Sequence, residues 1–200
     1  ALKYILEKFC NCKVDLVSGD KINLNLSFVD QVDQTRDISD IDLTKYDALV
    51  CIDQSSVSML SAKPVADAKS EFAIPNDIFT VNIDHHLTNE YFGQLNYINP
   101  KAASACEVLL DLAKEWGVSI DKELATRLLT GITTDTGFYK FVRSSKIFHD
   151  AGFLIEQGAD YMHDVMEPII NSQTLKGKQF LGLVFSNLKH NTKDNFYYVA

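Results

Sequence analysis

The clearest indication of the fold comes from Asn82-Ile83-Asp84-His85-His86. It closes an apolar run that begins at Ile78, and a strand that is apolar on both faces is typical of a parallel sheet covered by helices. A second apolar run, from Tyr46 to Asp53, ends in a carboxylate in the same way. Because such sheets bind ligands at the carboxyl ends of their strands, Asp53 and Asp84 are expected at one edge of the sheet.

The second half of the chain is predicted to be mainly helical. Ser104-Ala105-Cys106-Glu107 fits the S-x-x-E capping box and opens a helix that runs to about Trp116. Further helices are predicted over 121–132, 144–156 and 172–188, and further strands over 13–17, near 96–100 and over 195–200. Together these patterns predict an α/β fold with a doubly wound, mostly parallel sheet and helices on both faces.

The composition favours a soluble globular protein. The chain has 200 residues, 46% of them hydrophobic, and a formal net charge of −8. That charge disfavours binding to long duplex DNA. No run approaches the roughly 18 apolar residues of a membrane helix and no signal peptide opens the chain, so a cytoplasmic location without membrane contact is expected.

Three places concentrate residues that could do chemistry: Asp53, Asp84-His85-His86, and Asp135 within Thr133–Thr136. Carboxylates together with imidazoles suit Mn²⁺, Fe²⁺ or Zn²⁺. One carboxylate can bridge two such ions and help them to activate water for phosphoryl transfer, and Asp53, expected on a central strand, is the natural bridge. Taken alone, these residues favour structural roles: Asp53 as a helix cap, Asp135 as the start of a turn, and the paired histidines as one exposed and one hydrogen-bonded ring.

Three stretches in order resemble the DHH phosphoesterase superfamily. They are Asn82-Ile83-Asp84-His85-His86, Ala48-Leu49-Val50-Cys51-Ile52-Asp53-Gln54-Ser55, and Leu129-Thr130-Gly131-Ile132-Thr133-Thr134-Asp135-Thr136-Gly137-Phe138. Within the superfamily, the chain is most similar to the branch of oligoribonucleases and phosphoadenosine-phosphate (PAP) phosphatases, the nanoRNases. The resemblance implies a manganese-dependent phosphoesterase that hydrolyses phosphodiester or phosphomonoester bonds of short oligonucleotides or small nucleotides by metal-activated water.

The resemblance also implies a role for each site residue. Asp53 would bridge two Mn²⁺ ions, while His85 and Asp135 would complete the shell of the second ion. His86 would act as the catalytic residue that faces the phosphate. Asp84 would support the site from behind by accepting a hydrogen bond from an imidazole and so fixing its tautomer. The resemblance assigns no substrate-binding residue.

The sequence departs from the family pattern at its first motif, His-x-x-x-Asp-x-Asp. No histidine precedes His85, so the ligands of the first ion are not expected in this chain, which would hold at most one well-formed Mn²⁺ site. We therefore expect an internal piece of a longer enzyme. It would comprise a DHH domain over 1–171, a connecting helix over 172–190 and the start of a substrate-binding domain over 191–200.

Two other functions stay open on the sequence. A family II inorganic pyrophosphatase shares the superfamily pattern and would prefer pyrophosphate. A non-catalytic nucleotide-binding module, or an inactive fragment, would retain the motif residues without turnover. The expected partner is a short oligonucleotide or a small nucleotide substrate, and a homodimer is one open oligomeric state.

Overall fold

The computed structural model describes residues 1–20, 26–29, 31–60, 72–142, 144–172 and 174–199. Its helices are α1 (Leu2–Cys10), α2 (Ala105–Glu115), α3 (Lys122–Asp135), α4 (Lys146–Glu156), α5 (Glu167–Asn171) and α6 (Leu175–Ser186). Its strands are β1 (Val17–Ser18), β2 (Arg36–Asp37), β3 (Ala48–Ile52), β4 (Phe79–Asp84), β5 (Leu95–Ile98), β6 (Leu188–Asn191) and β7 (Phe196–Val199). A π-helical segment, Tyr161–Met166, leads into α5.

A parallel sheet of three strands, in the order β3-β4-β5, carries the site. Val50 lies opposite Val81, and Asn82 lies opposite Asn96. The parallel sheet flanked by helices confirms the predicted α/β class. The placement of Asp53 on a central strand is wrong, because in the described part of the chain β3 is an edge strand. The central strand is β4, which ends in Asp84.

The sequence of β3 is a continuous apolar run because the strand packs against apolar side chains on both faces. Val50 and Ile52 contact the main core, whereas Leu49 and Cys51 contribute to a second cluster. The main core is formed largely by α2, α3 and α4, with fully buried leucines and isoleucines at its centre, including Leu110, Leu128, Ile132 and Leu154. Side chains that alternate between two apolar layers leave no polar face on the strand.

All four predicted helices are present, with shifted ends. The predicted start of α2 is confirmed, since Ser104 Oγ accepts a hydrogen bond from the Glu107 amide at 3.0 Å, but the Glu107 carboxylate accepts from the Ala103 amide and not from the Ser104 amide that completes a capping box. Helix α3 continues to Asp135, past the predicted end at 132, and the Thr134 hydroxyl, which could otherwise favour a turn, donates to the Thr130 carbonyl inside the helix. Asp135 is therefore the last residue of a helix and does not follow one.

The strands outside the main sheet are short. In the predicted strand over 13–17 only Val17 pairs with β2, and the Val14 carbonyl accepts a hydrogen bond from Lys3 Nζ. The predicted strand at 195–200 is confirmed over Phe196–Val199, where β7 pairs with β6 in an antiparallel hairpin. Among the described residues, no helix has the length and apolar character needed to cross a membrane. The predicted division into domains stays a prediction.

Asp121, the N-cap of α3, links that helix to α1. Its carboxylate accepts hydrogen bonds from the Leu124 amide, from Tyr4 Oη and from Lys8 Nζ. Partial burial alone would raise the pKa of Asp121, but these donors outweigh it and lower the pKa to about 2. A carboxylate that holds its charge more tightly when folded stabilises the protein above its unfolded pKa of about 4.

Asp121→Asn should therefore reduce the pH dependence of stability. Asparagine keeps the N-cap but removes the charge, so the stabilisation present at pH 7 and lost as the pH falls from about 4 to about 2 should disappear. Because the pair is largely exposed, we expect less than about 1 kcal/mol at pH 7. Urea denaturation of both proteins at pH 7 and pH 2.5 measures this, and identical losses on acidification would contradict it.

Candidate metal centre

Asp53, His85 and Asp135 meet at the carboxyl edge of the sheet. His85 Nε2 lies 3.3 Å from Asp53 Oδ1 and 3.3 Å from Asp135 Oδ2. The three residues are separated along the sequence but are brought together by the ends of β3, β4 and α3. Asp53, Asp84, His85 and His86 also offer ligand atoms that all lie within 4.8 Å of one another.

Asp53 sits directly after β3 in a strained backbone conformation. Its φ is 61°, in the left-handed region that non-glycine residues seldom adopt and that aspartate and asparagine tolerate best. Its amide donates to the Ile83 carbonyl at 3.0 Å, so the turn is tied to the end of β4. Strain of this kind, held in place by the neighbouring strand, is a feature of functional sites.

Asp84 is buried and accepts three hydrogen bonds. Its Oδ1 accepts from the His85 amide at 2.7 Å, and His86 Nδ1 lies 2.7 Å from the same oxygen. Its Oδ2 accepts from Asn89 Nδ2 at 2.6 Å. Burial alone would raise the pKa of Asp84, but these donors together lower it. The predicted contact between Asp84 and an imidazole is thus present, and the imidazole is that of His86.

The tautomer of His85 is set by a backbone carbonyl. His85 Nδ1 lies 3.2 Å from the Ala102 oxygen, which can only accept, so Nδ1 carries a hydrogen. In the neutral ring, Nε2 then presents its lone pair to the carboxylates of Asp53 and Asp135. The Nε2 lone pair and the two carboxylates are all hydrogen-bond acceptors and repel one another, so a cation must lie between them.

A proton or a metal ion can supply that cation. The neighbouring carboxylate of Asp53, supported by Asp135, raises the pKa of His85 to about 9 against the opposing effect of burial. Although His85 Nε2 and Asp53 Oδ1 lie 3.3 Å apart, they do not form a hydrogen bond. Both are buried atoms without a hydrogen-bond partner. Unpaired buried polar atoms are costly, and one divalent cation bound to both would satisfy them. The nitrogen and oxygen ligands fit Mn²⁺, Fe²⁺ or Zn²⁺.

The pKa of Asp135 is raised by burial and, to a smaller extent, by the negative charge of Asp53.

Asp135 reaches this centre through a close contact between two helices. One turn earlier in α3, Gly131 packs against α2 so closely that a Cβ atom there would lie 2.2 Å from Cys106 Sγ. The glycine therefore permits the approach of α3 to α2 that brings the end of α3 to the site.

The supporting residues were not identified from the sequence. Asn89 donates to Asp84 and to the Gln54 carbonyl, and it accepts from Asn82 Nδ2 at 3.2 Å and from the Tyr91 amide at 2.7 Å. A polar residue inside an apolar strand is a detectable signal for Asn82. No such signal marks Asn89, which lies in a loop, or Ala102, which contributes only its backbone.

Comparison with known proteins agrees with the predicted resemblance. The family model described as "DHH family, N-terminal domain" matches residues 1–132. The bifunctional oligoribonuclease and PAP phosphatase NrnA of Thermus thermophilus is 38% identical over 86 residues, which cover 43% of this chain and 26% of that protein. The probable bifunctional oligoribonuclease and PAP phosphatase NrnA of Streptococcus mutans is 30% identical over 115 residues, or 57% of this chain and 36% of that protein.

The fold also has a solved counterpart. A crystal structure of an exopolyphosphatase-related protein from Bacteroides fragilis superposes with a TM-score of 0.74 at 20% identity, over 89% of this chain and 53% of that chain. At this identity the likeness supports the fold alone. The aligned segments span only about a quarter to a third of the two NrnA proteins. Because the family model covers more than half of the 200 residues, the chain belongs to the DHH family.

Proposed function

We propose that this chain is the metal-binding domain of a manganese-dependent phosphoesterase. Its substrates would be short oligonucleotides or small nucleotides, with PAP as a representative, in keeping with the names of the two NrnA relatives. The observation that carries the proposal is the convergence of Asp53 and Asp135 on His85 Nε2, with Nε2 and Asp53 Oδ1 buried and unpaired.

Asp53, His85 and Asp135 would hold the ion. When bound, Mn²⁺ supplies activated water and stabilises the charge that develops on the phosphoryl oxygens. Asp53 and Asp135 place two carboxylates beside the neutral Nε2 of His85, a mixed set suited to a transition metal. Asp53 remains the residue proposed to bridge to a second ion in a longer protein.

His86 is the proposed catalytic residue. Its Nδ1 is hydrogen-bonded to Asp84, so Nε2 is available to the substrate. The side chain is 42% exposed. In the protonated ring, Nε2 donates its hydrogen to a phosphate oxygen or to the leaving group as the bond breaks. The Asp84 carboxylate orients the ring and stabilises its positive charge.

The predictions about the number of ions, the substrate-binding residues, the cellular location and the partners belong to the same proposal. In the described residues the proposed ligands would hold one ion, and two ions are proposed only for a protein that also carries the first motif. The substrate-binding residues stay unassigned. A cytoplasmic location, the absence of binding to long duplex DNA, and a homodimer stay predictions.

Calorimetric titration with MnCl₂ and hydrolysis assays test the function. We expect the chain to bind at most one Mn²⁺ weakly and to hydrolyse a dinucleotide and PAP slowly, with all product formation lost on chelation. Two tight sites with brisk turnover would contradict the single-ion expectation. Faster phosphate release from pyrophosphate would favour a pyrophosphatase, and nucleotide binding without any Mn²⁺ uptake would favour a non-catalytic module.

A further inference from the structure

A buried carboxylate outside the metal centre is connected to it through one peptide group. Glu107 lies in the first turn of α2 and is almost completely buried. Its Oε2 accepts a hydrogen bond from the Ala103 amide at 2.6 Å. The carbonyl of the same peptide group, that of Ala102, is the oxygen 3.2 Å from His85 Nδ1.

The turn that contains this peptide group is fixed to the sheet. The Asn99 amide donates to the Asp84 carbonyl at 2.9 Å, and the Ala102 amide donates to the Asn99 carbonyl at 3.0 Å. These bonds determine where the turn lies, but they do not fix the rotation of the Ala102–Ala103 peptide plane. The Glu107 carboxylate holds the N–H end of that plane and so directs the C=O end at His85.

Glu107 is itself held in place by an ion cluster between α2 and α4. Its Oε1 lies 2.9 Å from Lys146 Nζ, which also lies 2.9 Å from Asp111 Oδ1 and 2.6 Å from Asp150 Oδ2. A carboxylate with both oxygens engaged has little rotational freedom. Hydrogen bonds that pass through one peptide group also polarise one another, so the negative charge on Glu107 strengthens the Ala102 carbonyl as an acceptor.

We propose that Glu107 is a positioning residue for His85. Through the Ala102–Ala103 peptide it fixes the hydrogen on Nδ1 and turns Nε2 towards Asp53 and Asp135. The consequence for metal binding rests on the function proposed above, whereas the orientation of the His85 ring does not. A capping residue with no further role would stabilise α2 and leave His85 unchanged, which makes the two roles separable.

Three variants separate them: Glu107→Ala, Glu107→Asp and Asp150→Asn. Alanine removes the carboxylate, and aspartate keeps the charge but is too short to reach the Ala103 amide. Asp150→Asn is the matched control, because Asp150 is buried and contacts Lys146 but does not bond to the 102–103 peptide. Circular dichroism melting curves establish that each variant is folded.

The deciding measurement is the exchange of the His85 Nδ1 proton with water, followed by ¹⁵N-edited NMR in the metal-free protein and assigned with His85→Gln. We expect Glu107→Ala and Glu107→Asp to accelerate exchange at least tenfold, and Asp150→Asn to stay within about threefold of the wild type. Calorimetry should show a 10- to 100-fold weaker Mn²⁺ affinity for the first two variants only.

Unchanged exchange in folded Glu107→Ala or Glu107→Asp would overturn the inference, as would equal acceleration in Asp150→Asn. If Glu107→Ala fails to fold, Glu107→Asp decides the question. If the wild type takes up no Mn²⁺, the proposed function fails, while the exchange measurement still decides whether Glu107 positions His85.

Discussion

Asp53→Asn is expected to weaken Mn²⁺ binding at least a hundredfold and to lower phosphoester hydrolysis about a thousandfold. Asparagine has the same shape and tolerates the backbone φ of 61° at this position, so the substitution removes little besides the charge. The lost carboxylate is the one whose Oδ1 is buried and unpaired beside His85 Nε2. Without it, the ion would keep one carboxylate and one imidazole of the three proposed ligands.

Asp47→Asn is the matched control for this experiment. Asp47 is exposed and precedes the same strand at its opposite end, so its substitution should change neither Mn²⁺ affinity nor turnover. Calorimetry and release of nucleoside monophosphate from a dinucleotide measure the two effects. Wild-type affinity in Asp53→Asn, with a melting temperature close to that of the wild type, would show that Asp53 is not a ligand.

Asp84→Asn is expected to lower the free energy of unfolding by about 2–4 kcal/mol. Asn89 is locked as a donor towards Asp84, because its oxygen already accepts from Asn82 and from the Tyr91 amide. An amide at 84 has only one acceptor oxygen. Either its NH₂ group faces the Asn89 NH₂ group, or it faces the donors of His85 and His86. Each arrangement leaves a buried donor without an acceptor.

The same substitution should also affect catalysis, by 10- to 100-fold, because His86 loses the carboxylate that orients it. Asp77→Asn provides the control, since Asp77 is exposed and lies just before the other end of β4. Urea denaturation at pH 7 gives the stability difference and initial rates give the catalytic one. A variant as stable as Asp77→Asn would show that Asn89 can reverse its amide, which would contradict the hydrogen-bond directions around Asp84.

Much of the site was predictable because its signals are local. Each apolar run that ends in a carboxylate identifies a buried strand and its carboxyl end, and parallel strands bring those ends to one edge. The S-x-x-E pattern located the start of α2, and the motif around Asp135 located the third acidic residue. The assignment of roles to Asp53, His85, His86 and Asp135 still awaits the experiments above.

Other predictions were wrong because the sequence carries no signal for the feature concerned. Strand order cannot be read from hydropathy, since an edge strand covered on both faces looks like a central one, and Asp53 was therefore misplaced. The end of α3 was missed because threonine hydroxyls that bond inside the helix look the same in sequence as turn residues.

Hydropathy and residue type act within a few positions of the chain, so they were enough to predict candidate site residues and strands that end at a common edge. The packed fold was needed to show which histidine Asp84 contacts, that Asn89 secures Asp84, and that the Ala102 carbonyl orients His85. These contacts join loops and backbone groups distant in sequence, and a backbone carbonyl is the same in every residue. Their geometry therefore exists only once the helices have packed against the sheet.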